Sequence, residues 1–133
     1  MSDKTTILRA FNNHFFELFD DLIRVLPTNT EVPYARTTFE AIKRANPTII
    51  IKTWYKFIYF PYKDIIESGN LTFFIDKDYG SDLSTVKQSN EIMQMIDNIR
   101  SPIREMDEVN KTHSLHYIQN LSKLSDLYNE QCI

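Results

Sequence analysis

The sequence predicts an all-α protein, a compact bundle of five or more helices, and three observations carry that expectation. Glycine occurs only twice, at Gly69 and Gly80, whereas β-rich folds spend glycine in their turns. Apolar residues recur at spacings of three and four over long stretches, the period of a helix with one buried face. Prolines and capping residues fall between those stretches. At 133 residues, with 42% hydrophobic and 25% charged side chains, the chain is expected to form one globular domain, residues 1–133, with a core of its own.

Asp3 is placed to cap a first helix reaching to about Leu26. Leu8, Phe11, Phe15, Leu18, Leu22 and Val25 draw its apolar stripe, and Phe19, Ile23 and Leu26 widen it enough for more than one neighbour. Pro27 and the polar Thr28-Asn29-Thr30 close it. Pro33 then opens a shorter helix with Ala35, Phe39 and Ile42 inward and Arg36, Lys43 and Arg44 outward. Asn46-Pro47 stops that helix and starts the next, because proline needs no backbone N–H in a first turn. There Ile50, Ile51, Trp54, Phe57 and Ile58 share one arc, with Lys52, Tyr55, Lys56 and Tyr59 opposite. Residues 49–60 are also β-branched and aromatic enough for a strand. Pro61 should kink or split this element before Ile65 and Ile66.

Gly69 suits the position just past a helix end, and Gly69 and Gly80 bracket a compact insert. Ser81 or Asp82 should cap a helix to about Arg100, with Val86, Ile92, Met93, Ile96 and Ile99 inward and Ser101-Pro102 interrupting it. A last helix, from about Val109 to Tyr128, should turn Tyr117, Leu121, Leu124 and Tyr128 inward, flanked by Ile118 and Leu127. Its short link to the preceding helix predicts a C-terminal antiparallel helical hairpin. Phe15, Leu18, Trp54, Phe57, Phe74, Ile96 and Leu121 are the expected core.

Few residue patterns point to chemistry. Cys132 is the only cysteine, so no intrachain disulfide forms, which fits a reducing compartment. The charges spread over the first 26 residues leave no apolar core for a secretory signal. The glycosylation sequons at Asn70, Asn110 and Asn120 then read as chance matches. No apolar run reaches the roughly 20 residues of a membrane span. Asp76, Asp78 and Asp82 near Gly80 have the wrong spacing for a calcium loop, with Lys87 where the bidentate glutamate belongs. His113 and His116 lie three apart and lack a companion pair for zinc. His113 projects onto the apolar arc, where a hydrogen-bonded core histidine is expected. No nucleophile-base pattern and no glycine-rich phosphate loop is present. The expectation is therefore a non-enzymatic protein with no cofactor and no metal.

The charge is unevenly placed. The net charge is −3, yet residues 36–63 hold six basic side chains against Glu40 alone, while residues 64–133 hold six against twelve acidic. Arg36, Lys43, Arg44, Lys52, Tyr55, Lys56 and Tyr59 form the candidate binding face, cations interleaved with aromatics. Three readings of it stay open: a solvated helix face whose lysines pair with the acidic C-terminal half, an anchor for nucleic acid, or a face for a protein partner.

Arg44-Ala45-Asn46-Pro47, the run from Phe73 to Tyr79, Ser81-Asp82-Leu83, the run from Tyr117 to Leu121 and the run from Leu124 to Tyr128 together make up a distinctive set. As a set they resemble a family of small uncharacterised proteins of nucleocytoplasmic large DNA viruses, from about Phe11 to Tyr128, with Pro61 departing from the pattern. The resemblance implies a viral protein made in the cytoplasm of an infected cell, with packaging into the virion a further expectation. It carries over no functional residues. The expected role is structural, assembly or scaffolding, through contacts with a viral protein or with itself and without a membrane. A nucleic-acid accessory role through residues 36–63 is the alternative.

Overall fold

The computed structural model describes residues 3–69 and 89–131. Among them every regular element is helical and none is a strand, so the strand alternative for residues 49–60 is discarded.

Helix α1 spans Lys4–Val25. It starts where expected: the Asp3 carboxylate accepts the Thr6 N–H at 2.7 Å, and those bonds hold the Asp3 carboxyl below its ordinary pKa. The middle of the wide stripe is buried, while Leu8, Ile23, Val25 and Leu26 at its ends and edge are only partly covered. Phe11, Phe15, Leu18, Phe19 and Leu22 are completely buried, and α1 touches four other helices.

Helix α2 spans Glu31–Ala45, beginning two residues ahead of Pro33. The Asn29 side chain accepts the N–H groups of Glu31 and Val32 at 2.9 and 3.2 Å. That cap starts the helix early and leaves Pro33 in the first turn, where its missing N–H costs nothing. Phe39 meets the Phe15 ring edge-on at 5.3 Å.

After Asn46, whose Oδ1 accepts the Thr48 N–H at 3.2 Å, helix α3 spans Ile49–Thr53. The backbone then widens into a π-helix over Trp54–Tyr59, tightens to a 3₁₀ turn over Phe60–Tyr62, and resumes as α4 over Lys63–Glu67. Pro61 supplies no N–H, so regular i→i+4 bonding cannot run through this stretch. The wider turn overturns two expectations drawn on an α-helical wheel. Tyr59, expected outside, is only 4% exposed. Phe57, expected in the core, is only partly buried. Trp54 and Ile58 are fully buried, and the Trp54 indole N–H donates to Ser122 Oγ at 3.0 Å.

Gly69 ends α4 at φ +85°. The insert after it, including Phe74 and Gly80, lies outside the described residues. So do the aspartates of the calcium-like pattern, the caps at Ser81 and Asp82, Val86, and the side chains of Ile92, Met93, Ile96 and Ile99.

Helix α5 spans Ser89–Arg104 and runs through Pro102, so Ser101-Pro102 does not interrupt it. The proline sits in the last turn, where it withdraws one hydrogen bond just before the helix ends anyway. Glu105 and Met106 close the end with N–H bonds of 3.1 Å to Pro102 O and Ile103 O.

Helix α6 spans Glu108–Glu130, capped by Asp107, which accepts the Asn110 N–H at 2.8 Å. Leu121 and Tyr128 are buried as expected, together with Ile118. Tyr117 and Leu124 are only partly covered, and Leu127 is 39% exposed. Ser114, Ser122 and Ser125 are buried as deeply as Ile118 and Leu121. Those small side chains let the neighbouring helix backbone come close, which rotates the buried face toward them. Among the described residues α6 packs more on α1 and the π-helix than on α5.

Candidate binding face

The seven residues of the candidate face do not form one surface. Arg36 is tied into α1: its guanidinium donates to Asp20 at 2.8 Å and to Glu40, and lies 5.3 Å from the centre of the Phe16 ring. Those carboxylates hold its pKa above the ordinary arginine value, against the opposing pull of burial. Lys43 covers the same ring from 5.0 Å. Arg44, 3.7 Å from Glu40, stays mostly exposed. The basic end of α2 is thus largely spent on intramolecular pairs and on roofing Phe16.

Lys52 and Lys56 behave differently. Both are exposed, and neither forms an ion pair among the described residues. Lys56 Nζ lies over the Phe57 ring at 5.3 Å. Tyr55 stacks on Phe60, centroids 5.7 Å apart and planes 16° from parallel. In an α-helix residues five apart diverge; in the π turn they come into register. Lys63 Nζ sits 5.4 Å from the Phe60 ring. Tyr55, Phe60 and Lys63 therefore meet on one cationic and aromatic surface, and Lys52 and Lys56 are exposed on the same segment. Phe60 and Lys63 were missed from the sequence, because their proximity to Tyr55 depends on the π turn and the only hint of it was Pro61.

Tyr59 leaves this surface for a cleft of about 400 Å³ between α4 and α6, shared with Glu67, Gln119, Lys123 and Asp126. Its hydroxyl donates to Glu67 Oε1 at 2.7 Å. Burial, with help from Glu67 and Asp126, pushes its pKa far above the usual tyrosine value, so it remains a hydrogen-bond donor. Gln119 Nε2 donates to Ile66 O at 3.1 Å, binding the end of α4 to α6.

A second polar cluster bridges α1 and α6. Asp21 is almost fully buried and pairs with Arg24 through Oδ1, while Oδ2 makes no hydrogen bond and lies 3.9 Å from His113 Nε2. His113 is not a core histidine: its side chain is 54% exposed, because the buried face of α6 is turned toward the serines. The His14 ring packs on Tyr117 with centroids 4.6 Å apart and planes tilted by 31°. Burial holds its imidazole below the ordinary pKa, with Glu17 opposing. Tyr117 is shifted upward by burial and by Asp21. Among the described residues no three His, Cys, Asp or Glu side chains gather as metal ligands do, and no helix is long and apolar enough to cross a membrane.

Comparison with protein-family models, with curated proteins and with solved structures finds no match to this chain.

Proposed function

We propose that this chain is a non-enzymatic structural or assembly protein of a large DNA virus, made in the cytoplasm of the infected cell and acting through protein contacts. The observation that carries the reading is Phe60, a stacked aromatic that is 49% exposed with Lys63 over its ring. An exposed aromatic anchor is the residue type enriched in protein contacts, and a lysine beside it belongs to the polar rim that fixes orientation. Nucleic acid is the second reading, favoured by the exposed Lys52 and Lys56 beside Tyr55. Against it, Arg36 and Lys43 are engaged within the fold, so the positive stripe that would track a phosphate backbone is broken.

The two separate in one experiment. The tagged protein is recovered from infected cells with and without nuclease, beside a Lys52→Glu, Lys56→Glu variant. A protein partner retained after nuclease and lost in the variant is the expected result. Recovery abolished by nuclease would transfer the face to nucleic acid.

A further inference from the structure

We propose that the cleft between α4 and α6 is a binding site for an organic cation, an alkylammonium or guanidinium head group carried on an alkyl stem. The cleft shares no residue with the surface of Tyr55, Phe60 and Lys63, so this site goes beyond the assembly reading above and does not depend on it.

Buried side chains form the floor of the cleft. Tyr59 is 4%, Ile66 3% and Ser122 1% exposed, and all three line its volume of about 400 Å³. Two carboxylates converge there on one hydroxyl. Tyr59 donates to Glu67 Oε1 at 2.7 Å, and Asp126 is near enough to act on the same hydroxyl. A phenol has a single proton to give, so Asp126 goes without. This half-buried carboxylate accepts no hydrogen bond and has no ion-pair partner among the described residues.

The rest of the lining does not supply what is missing. Gln119 spends Nε2 on Ile66 O at 3.1 Å, which leaves its Oε1 as a further acceptor. Ser122 Oγ accepts the Trp54 indole N–H at 3.0 Å and keeps one O–H of its own. Lys123 is the only cation of the lining among the described residues, and it is exposed. Two carboxylates therefore stand against one ammonium, with Glu67 Oε2 and both Asp126 oxygens unsatisfied by protein donors. A ligand that completes this balance brings positive charge and several N–H donors together. An anion would meet the carboxylates head-on, and an apolar group would strip them of water without pairing them. The volume is that of a small-molecule site and holds more than a head group alone. Ile66 offers an apolar wall for the stem, as long cationic side chains require.

The test is an amide NMR titration of the full chain with acetyl-arginine amide, with its neutral isostere acetyl-citrulline amide, and with spermidine. Expected are saturable shifts at Gln119 and Asp126 with the two cations and none with the citrulline compound. Asp126→Asn should weaken cation binding about tenfold, and Glu67→Gln should weaken it as well, with circular dichroism melts near the parent showing that both variants stay folded. Tighter binding of the blocked arginine assigns the site to a basic side chain of a partner protein; tighter binding of spermidine assigns it to a free amine. No saturable shift with either cation overturns the proposal, as do equal shifts with the citrulline compound or affinities unchanged in both carboxylate variants. Lys52→Glu with Lys56→Glu leaves the cleft intact and should bind the cations as the parent does, so this site and the assembly reading fail separately.

Discussion

Gly69 and His14 have roles that are decided by a single torsion and by a single buried nitrogen. A Cβ on Gly69 would meet Gln119 Nε2 at 3.7 Å and Leu115 Cδ2 at 3.8 Å, ordinary contact distances. Space is therefore not the constraint. The constraint is φ +85°, which an L side chain adopts at a cost of about 1 kcal/mol or slightly more. Gly69→Ala should lower stability by that amount in urea unfolding, and a loss of several kcal/mol would mean that the end of α4 is held more tightly than these contacts indicate. His14 is governed by protonation. Its Nε2 is buried without a hydrogen-bond partner, so the charged imidazole would bury an unpaired N–H. The folded pKa therefore lies below the ordinary 6.5. Between the two values the unfolded chain binds more protons, and stability rises with pH there. Acid should thus begin to weaken the fold as pH falls through about 6.5, and the loss stops growing once folded His14 is itself protonated. His14→Phe keeps a ring against Tyr117 and removes the titration, so the melting-temperature gap between pH 7.5 and 5.5 should narrow. A gap unchanged in the variant would assign the acid sensitivity to other groups.

At the scale of elements, the segment from Ile49 to Glu67 shows where sequence reading succeeds and where it stops. The periodicity of α1 was legible because it is long and regular: Phe15, Leu18 and Leu22 are all fully buried where the wheel placed them. The cap at Asp3 and the turn at Gly69 were equally readable, since each depends on one residue's local chemistry, whereas the Asp107 cap went unread. The π-helix was not readable. A wheel assumes 3.6 residues per turn, and one widened turn shifts the phase of Phe57 and Tyr59 while Ile58 stays in the core. Phe57 consequently rotates toward solvent, while Tyr59 goes inward and leaves the candidate face for the cleft with Glu67. The buried line of α6 drifted for a different reason. Serines carry no hydrophobic signal, yet Ser114, Ser122 and Ser125 are the side chains that fit under close helix packing. The π phase predicts an order of truncation costs. Ile58→Ala should cost about 2–5 kcal/mol, as for a filled core site. Phe57→Ala should cost clearly less despite the larger side chain, because its ring is partly solvated under Lys56. Equal or inverted losses in denaturant melts would show that this segment is α-helical in solution.

Over the whole molecule, the asymmetry in charge is real, but the fold divides it. Of the six basic residues in 36–63, Arg36 faces Asp20 and Glu40, Lys43 roofs Phe16, and Arg44 borders Glu40. Lys52, Lys56 and Lys63 remain exposed and outside those pairs, and this fixes the scale of any polyanion binding. If those three each neutralised one phosphate, affinity for duplex DNA would fall with salt at a log–log slope of about −2.7, at ~0.9 per contact. So shallow a slope belongs to weak, sequence-blind binding. The net charge of −3 and the exposed Asp64 and Glu67 beside the same lysines repel the phosphates further. The expected result is no retardation of duplex or single-stranded nucleic acid in about 0.15 M salt, with weak, non-specific shifts appearing only as salt is lowered. Lys52→Glu with Lys56→Glu should remove even those, leaving the melting temperature near the parent value. Tight binding at physiological salt with a slope near −5 would require Arg36, Lys43 and Arg44 to leave their carboxylates and ring, and would make the nucleic-acid reading the right one.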